Sequence, residues 1–213
     1  MTVAQNHEGD GIELIIRTAN VLDLDSLVDL HHTSFTRKTN IITRLGEKFI
    51  RTSYEWFIAS EETYVIVAEL NNLLVGLTAV CDRPYVGPLL KNCWIEALTG
   101  SISHPAIIFD KMIWSHLFNL LLNYREKKGD KPDLSNSAHL AYIAVHPGYQ
   151  GKKVGTKLLN HSKEIALKRG KIYHYAGVYR NNTNSQRMFE ACGHVILKES
   201  EIDNIIVMRA ELT

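Results

Sequence analysis

The segment Gln150-Gly151-Lys152-Lys153-Val154-Gly155 carries the pattern with the clearest chemical use. It follows the apolar run Leu140-Ala141-Tyr142-Ile143-Ala144-Val145. It precedes a helical repeat of apolar residues at Val154, Leu158, Leu159, Ile165 and Ala166. A short glycine-bearing turn between strand and helix points several backbone N–H groups one way, and the helix N-terminus adds partial positive charge. That combination binds phosphate. The turn is therefore read as the seat of a pyrophosphate-bearing cofactor, with Lys152 and Lys153 close enough to add charge. Elsewhere the reactive residue types are scattered. Tyr173, Tyr175 and Tyr179 alternate as on one strand face, which packing explains. His31-His32 has no partner pattern for a metal, and none is assigned.

The elements that must hold the turn follow from hydrophobic period. Ile12, Leu14 and Ile16 alternate with Glu13 and Arg17 at one end of a first strand. Asp23–Phe35 and Leu45–Ala59 repeat apolar residues at helical spacing. Thr63–Leu70 and Leu73–Cys81 read as two strands joined by the Asn71-Asn72 turn. Residues 84–137 interrupt the pattern with helical candidates near Leu89–Leu98 and Pro105–Tyr124. Connections between strands usually run only ~4–6 residues, so this is an insertion with its own structure. After it come a strand ending at Val145, a helix over Lys152–Lys168, a strand over Lys171–Tyr179 and a helix over Thr183–Cys192, which Gly193 ends. Short strands near Val195–Glu199 and Ile205–Arg209 close the chain.

Composition sets the class. The 213 residues suit one domain, 1–213, and the formal net charge of +1 gives no drive toward nucleic acid or an anionic membrane. Cys81, Cys93 and Cys192 form no CxxC and no even set, which fits a reducing, cytoplasmic setting. The most apolar segment, Ala106–Leu122, is interrupted by Asp110, Lys111 and His116. It reads as a buried or interface helix, which makes a homodimer an expectation, and not as a membrane span.

The order of elements, with the turn, resembles the GNAT family of acyl-CoA-dependent N-acyltransferases. Gln150, Lys153 and Gly155 occupy the defined positions of that family's Q/R-x-x-G-x-G/A motif, with Lys in place of the middle glycine. Asn182, Ser185, Phe189 and Gly193 match its N-x-x-A/S-x-x-x-Y/F-x-x-x-G pattern in the last helix. Two signatures in their proper strand–helix settings specify far more than either alone. The resemblance implies an α/β (α+β) fold: a mixed, mostly antiparallel sheet with splayed fourth and fifth strands, and a helical insertion between strands three and four. It implies acetyl-CoA or another acyl-CoA as co-substrate. The main chain of Ile143, Ala144 and Val145 then pairs with the pantetheine arm. The amides of Gly151, Lys152, Lys153, Val154, Gly155 and Thr156 face the pyrophosphate, and Asn182, Ser185 and Phe189 lie along the cofactor.

Acyl transfer to nitrogen needs a neutral amine, so a group must take its proton. His139 lies eleven residues before Gln150. Relatives that use a carboxylate base on this strand have it at about the same place, and histidine titrates near neutrality. The N–H of Val145 is the candidate oxyanion donor. Many relatives carry a tyrosine at the Phe189 position to protonate the leaving thiolate. Phe189 has no hydroxyl, so that task passes to water or to one of Tyr173, Tyr175 and Tyr179, or needs no acid. The expected acceptor is a small amine such as an amino sugar, nucleotide-linked if Arg44, Arg51, Arg83 and Lys91 meet its phosphates. A protein N-terminus or lysine is the second reading. A non-catalytic acyl-CoA sensor, motivated by Lys153 and Phe189, is the third.

Overall fold

The protein is described from a computed structural model, which covers residues 3–5, 14–35, 41–103, 134–199 and 204–213. Among the described residues, eight strands form one sheet in the order β1-β2-β3-β4-β5-β6-β8-β7. They are β1 (Val3–Gln5), β2 (Leu14–Thr18), β3 (Thr63–Leu70), β4 (Leu73–Cys81), β5 (Ser137–Val145), β6 (Tyr173–Tyr179), β7 (Val195–Glu199) and β8 (Ile205–Glu211). Of these strands only β5 and β6 run parallel; every other neighbouring pair among them is antiparallel. This is the mixed, mostly antiparallel sheet expected. The three-residue β1 went unread, being too short for a periodic signal, so the fourth and fifth strands of the sequence reading are β5 and β6.

Local chemistry explains the boundaries. Asn71 and Asn72 both take positive φ (51° and 61°), the backbone of a tight hairpin turn whose twist matches its strands. The Asn20 side chain accepts from the Leu22 N–H (2.8 Å) and Asp23 accepts from the Asn20 N–H (2.8 Å). That capping box starts the run into α1 (Leu24–Ser34). The helix expected over Leu45–Ala59 is α3 (Glu47–Ala59), and a short α2 (Ile41–Leu45), unread from sequence, precedes it across Gly46 with φ of 93°. The candidate over Leu89–Leu98 is two helices, α4 (Val86–Asn92) and α5 (Trp94–Ser103), with the break at Cys93. The Pro105–Tyr124 candidate, and with it the Ala106–Leu122 contact expected of a dimer, lies outside the described residues.

Helices cover both faces. Helices α1 and α3 bury Leu27, Val28, Phe49, Ile50, Tyr54 and Phe57 against Tyr142 and Ala144 on one face. On the other face, α6 (Val154–Lys168) packs Val154, Leu158 and Ala166 on the central strands. Beside it α7 (Thr183–Ala191) contributes Phe189 to a cluster with Leu140, Leu159 and Met208. Gly170 and Gly193, at φ of 76° and 84°, end these two helices in the left-handed conformation that suits glycine at C′. No helix among the described residues is long and apolar enough to cross a membrane.

Candidate functional site

The parallel strands part. β5 and β6 pair from Ser137↔Tyr173 to Leu140↔Ala176 and no further, while β5 continues along β4 to Gly76↔Val145. From Ala141 onward one edge of β5 therefore has no strand beside it. This is the splay expected between these strands. Antiparallel neighbours alternate between bonded and non-bonded pairs. His146 donates its N–H to Val75 (2.9 Å), so the main-chain groups of Ala144 and Tyr142 also turn to β4. Those of Ile143 and Val145 turn to the open edge. Ala144, expected to pair with a ligand, is thus committed to β4, and its side chain is core. The Val145 carbonyl already accepts from Gln150 Nε2 (3.2 Å).

A bulge sits at the mouth of the splay. Leu140 pairs with Val80 and Tyr142 with Ala79, which leaves Ala141 without a partner on β4. The extra residue shifts the strand's phase. Before it, Ala138 and Leu140 face α6 and α7; after it, Ile143 and Val145 do, and Tyr142 turns to α1 and α3. Tyr142 lies edge-on to His31, Phe57 and Tyr85. Among the described residues its buried hydroxyl makes no well-formed hydrogen bond, and Ser53 is the polar side chain close enough to act on it.

Above the splay, Pro147–Tyr149 form a short 3-10 turn. There the His146 ring accepts from the Gly148 N–H (3.2 Å). Gly151 then takes φ of 76° and Lys153 takes 61°, and α6 begins at Val154. Lys153 therefore adopts the left-handed conformation that the family's glycine would supply. The N-cap residue Lys153 makes no side-chain cap, so among the described residues the first N–H groups of α6 remain for an anion. Lys152 Nζ sits over the Tyr149 ring, 5.0 Å from its centroid. Val154 has its side chain in the core, so it can offer only its amide. Gly155 is a packing glycine as well: a Cβ there would lie 2.7 Å from Met188 Sδ.

Asn182 caps α7 by accepting from the Ser185 N–H (3.1 Å). Both face the solvent side of that helix start. Phe189 does not: it is 2% exposed and lies edge-on to His194, 5.0 Å between ring centres. Its expected place along the cofactor is therefore corrected to a place in the core that anchors α7.

His139 and Tyr175 form a rung of the paired part, one residue short of the parting. Their rings stack at 5.2 Å and 8°, on the face that carries α1 and α3. Ser137 Oγ lies 2.8 Å from His139 Nε2. Burial, with Lys171 nearby, pushes the His139 imidazole down to about 4, so it is neutral at pH 7 and a weaker base than an exposed histidine. Val145 lies six residues along the same strand, roughly 20 Å away at ~3.3 Å per residue. One reacting carbon cannot meet both His139 and the Val145 N–H, so those two expected roles separate. Tyr173 stacks under Arg209 (4.6 Å). Ser137 and Tyr142 were not singled out from sequence; a serine two before a candidate histidine on one strand face was the available sign.

Of the cations expected to meet phosphates, Arg51 pairs with Asp25 (2.7 Å) and Arg83 with Glu62. Among the described residues no cluster of three acidic, histidine or cysteine side chains could hold a metal.

The model of the acetyltransferase (GNAT) family matches residues 121–194, the stretch that holds the turn and α7. The sequence matches no curated protein. Among solved structures, the chain is similar to the GNAT domain of S. lividans PAT, at 15% identity and a TM-score of 0.61, over 94% of this chain and 91% of that one. It is similar to the paia N-acetyltransferase from Thermoplasma acidophilum in complex with coenzyme A, at 14% identity and 0.59, over 94% and 99%. It is also similar to yncA from Salmonella typhimurium with its cofactor acetyl-CoA, at 18% identity and 0.56, over 94% of each chain.

Proposed function

We propose that this chain, which has the GNAT fold, is an acyl-CoA-dependent N-acyltransferase that moves an acetyl or other short acyl group to a primary amine. The observation that carries the reading is the parting of β5 and β6 below an uncapped helix start. A ligand with a pyrophosphate and a long amide-bearing arm matches both features. The turn takes the phosphates, and the open main-chain groups of Ile143 with the Val145 N–H take the arm. The thioester end then arrives near the bulge and the His139–Tyr175 rung. There His139 takes the amine's proton through water, as nitrogen attacks the thioester carbon. The Ile143 N–H, nearer the parting than Val145, is the better placed donor to the oxyanion. A carbon–nitrogen bond forms, the carbon–sulfur bond breaks, and the thiolate leaves with a proton from water or Tyr175.

The acceptor is a small amine in this reading. An amino sugar is one such amine. The ion pairs of Arg51 and Arg83 weaken the case for a nucleotide-linked one, because those cations already face carboxylates. Unphosphorylated amines are therefore the first to test. In a thiol-release assay with acetyl-CoA and an amine library, at least one amine should give CoA release. If acetyl-CoA raises the melting temperature and no amine, peptide N-terminus or lysine peptide releases thiol, the chain is a sensor and the enzymatic reading is lost.

A further inference from the structure

We propose that Ser137 is a positioning residue that locks His139 in the Nε2–H tautomer, so that Nδ1 is the lone pair that takes the amine's proton. The inference rests on His139 acting as the base, as in the proposed function, and the experiment below separates the two. Ser137 Oγ lies 2.6 Å from the Leu134 carbonyl oxygen. Two oxygens that close repel unless a proton lies between them, so the single hydroxyl hydrogen is spent on Leu134. What Oγ turns to His139 Nε2 at 2.8 Å is a lone pair, and Nε2 must donate. A neutral imidazole has one N–H. Nδ1 is then unprotonated, and among the described residues no donor or acceptor engages it.

The clamp is rigid. Ser137 is fully buried, its N–H also bonds the Leu134 carbonyl (3.2 Å), and its backbone pairs with Tyr173 on β6. Tyr175 fixes the ring plane by stacking. The same device occurs nearby with a different outcome. Ser162 Oγ donates to the Leu159 carbonyl (2.7 Å) and faces His174 Nε2 (3.3 Å). There, however, Nδ1 is taken by His194 Nε2 (3.1 Å), and the whole chain is buried. Two serines thus set two histidine tautomers. One histidine spends its remaining nitrogen on the core; the other keeps it open beside the parting of the strands.

The test begins with the wild-type protein and needs no substrate. Imidazole nitrogen NMR on the histidine-labelled chain, assigned by loss of the signal in His139→Gln, should show Nε2 protonated and Nδ1 not. Ser137→Ala should populate the other tautomer, and Ser137→Thr, which keeps the hydroxyl, should restore the wild-type pattern. With acetyl-CoA and the best amine from the library, Ser137→Ala should lower kcat about tenfold, short of the ~10²–10⁴ a general base contributes. Its KM for acetyl-CoA should not change, and Ser137→Thr should recover most of the rate. A wild-type spectrum with the proton on Nδ1 overturns the assignment whatever the kinetics. A confirmed tautomer with full activity in both Ser137→Ala and His139→Gln instead overturns the base reading, and with it the positioning role.

Discussion

Lys153 holds a conformation that its side chain disfavours. At φ of 61° a non-glycine residue carries roughly 1–2 kcal/mol of local strain. Lys153→Gly should therefore raise stability by about 0.5–1 kcal/mol after the larger backbone entropy of glycine is counted. It also removes a cation beside the phosphate turn, so acyl-CoA should bind more weakly. A higher melting temperature with a higher Kd by calorimetry is the expected pair; unchanged affinity would show that Lys153 points its charge elsewhere. Tyr142 gives a second opposition. A buried hydroxyl without a partner costs about 1–3 kcal/mol, so Tyr142→Phe should be neutral or stabilising in denaturant melts, and a clear loss would reveal a partner. The two residues differ in legibility. Lys153 could be read because its motif position demands a positive φ. Tyr142 could not, because the bulge at Ala141 turns it away from the face that strict alternation with Leu140 assigns.

At the scale of elements, two glycines seat α6 where its first turn can serve a ligand. A Cβ at Gly76 would lie 2.8 Å from Leu158 and 2.9 Å from Val154, and one at Gly155 would meet Met188 of α7. Gly155→Ala should thus cost about 1–3 kcal/mol through overpacking. The clash is with a flexible side-chain sulfur, so the same change in a Met188→Ala background should cost less. A double-mutant cycle in denaturant reads that coupling directly; strict additivity would mean that α6 and α7 do not meet through this pair. Most of this layer was legible. Hydrophobic period gave α1, α6, α7 and the hairpin, because each buries one continuous stripe. The break at Cys93 was not, since the apolar stripe runs on across it while the helix axis changes.

Across the whole molecule, the histidines decide how the fold responds to acid. His31 and His139 lie on the face that carries α1 and α3, and His174 and His194 on the face under α6 and α7. Burial pushes His31 and His174 down to about 3, and His139 and His194 down to about 4. His31 is held between Tyr54 (2.9 Å) and Thr43 (3.2 Å), and among the described residues His194 Nδ1 has no hydrogen-bond partner. In the unfolded chain each returns to ~6.5. Between that value and the folded ones, the unfolded state binds protons that the folded state refuses, so stability present above pH 6.5 is lost as pH falls. The loss grows by about 1.4 kcal/mol per pH unit for each histidine involved, until pH reaches 3–4. Asp23, held low mainly by its hydrogen bond to Arg17, adds loss of the same sign, but only once pH nears the carboxylate range. Denaturant midpoints should therefore drop steeply between pH 6.5 and 5, before carboxylates contribute. Replacing a core histidine with a neutral side chain, as in His31→Gln, should make that drop shallower even if it lowers stability at pH 7.5. A midpoint that holds level from pH 7.5 to 5 would mean that these rings accept protons without leaving the core.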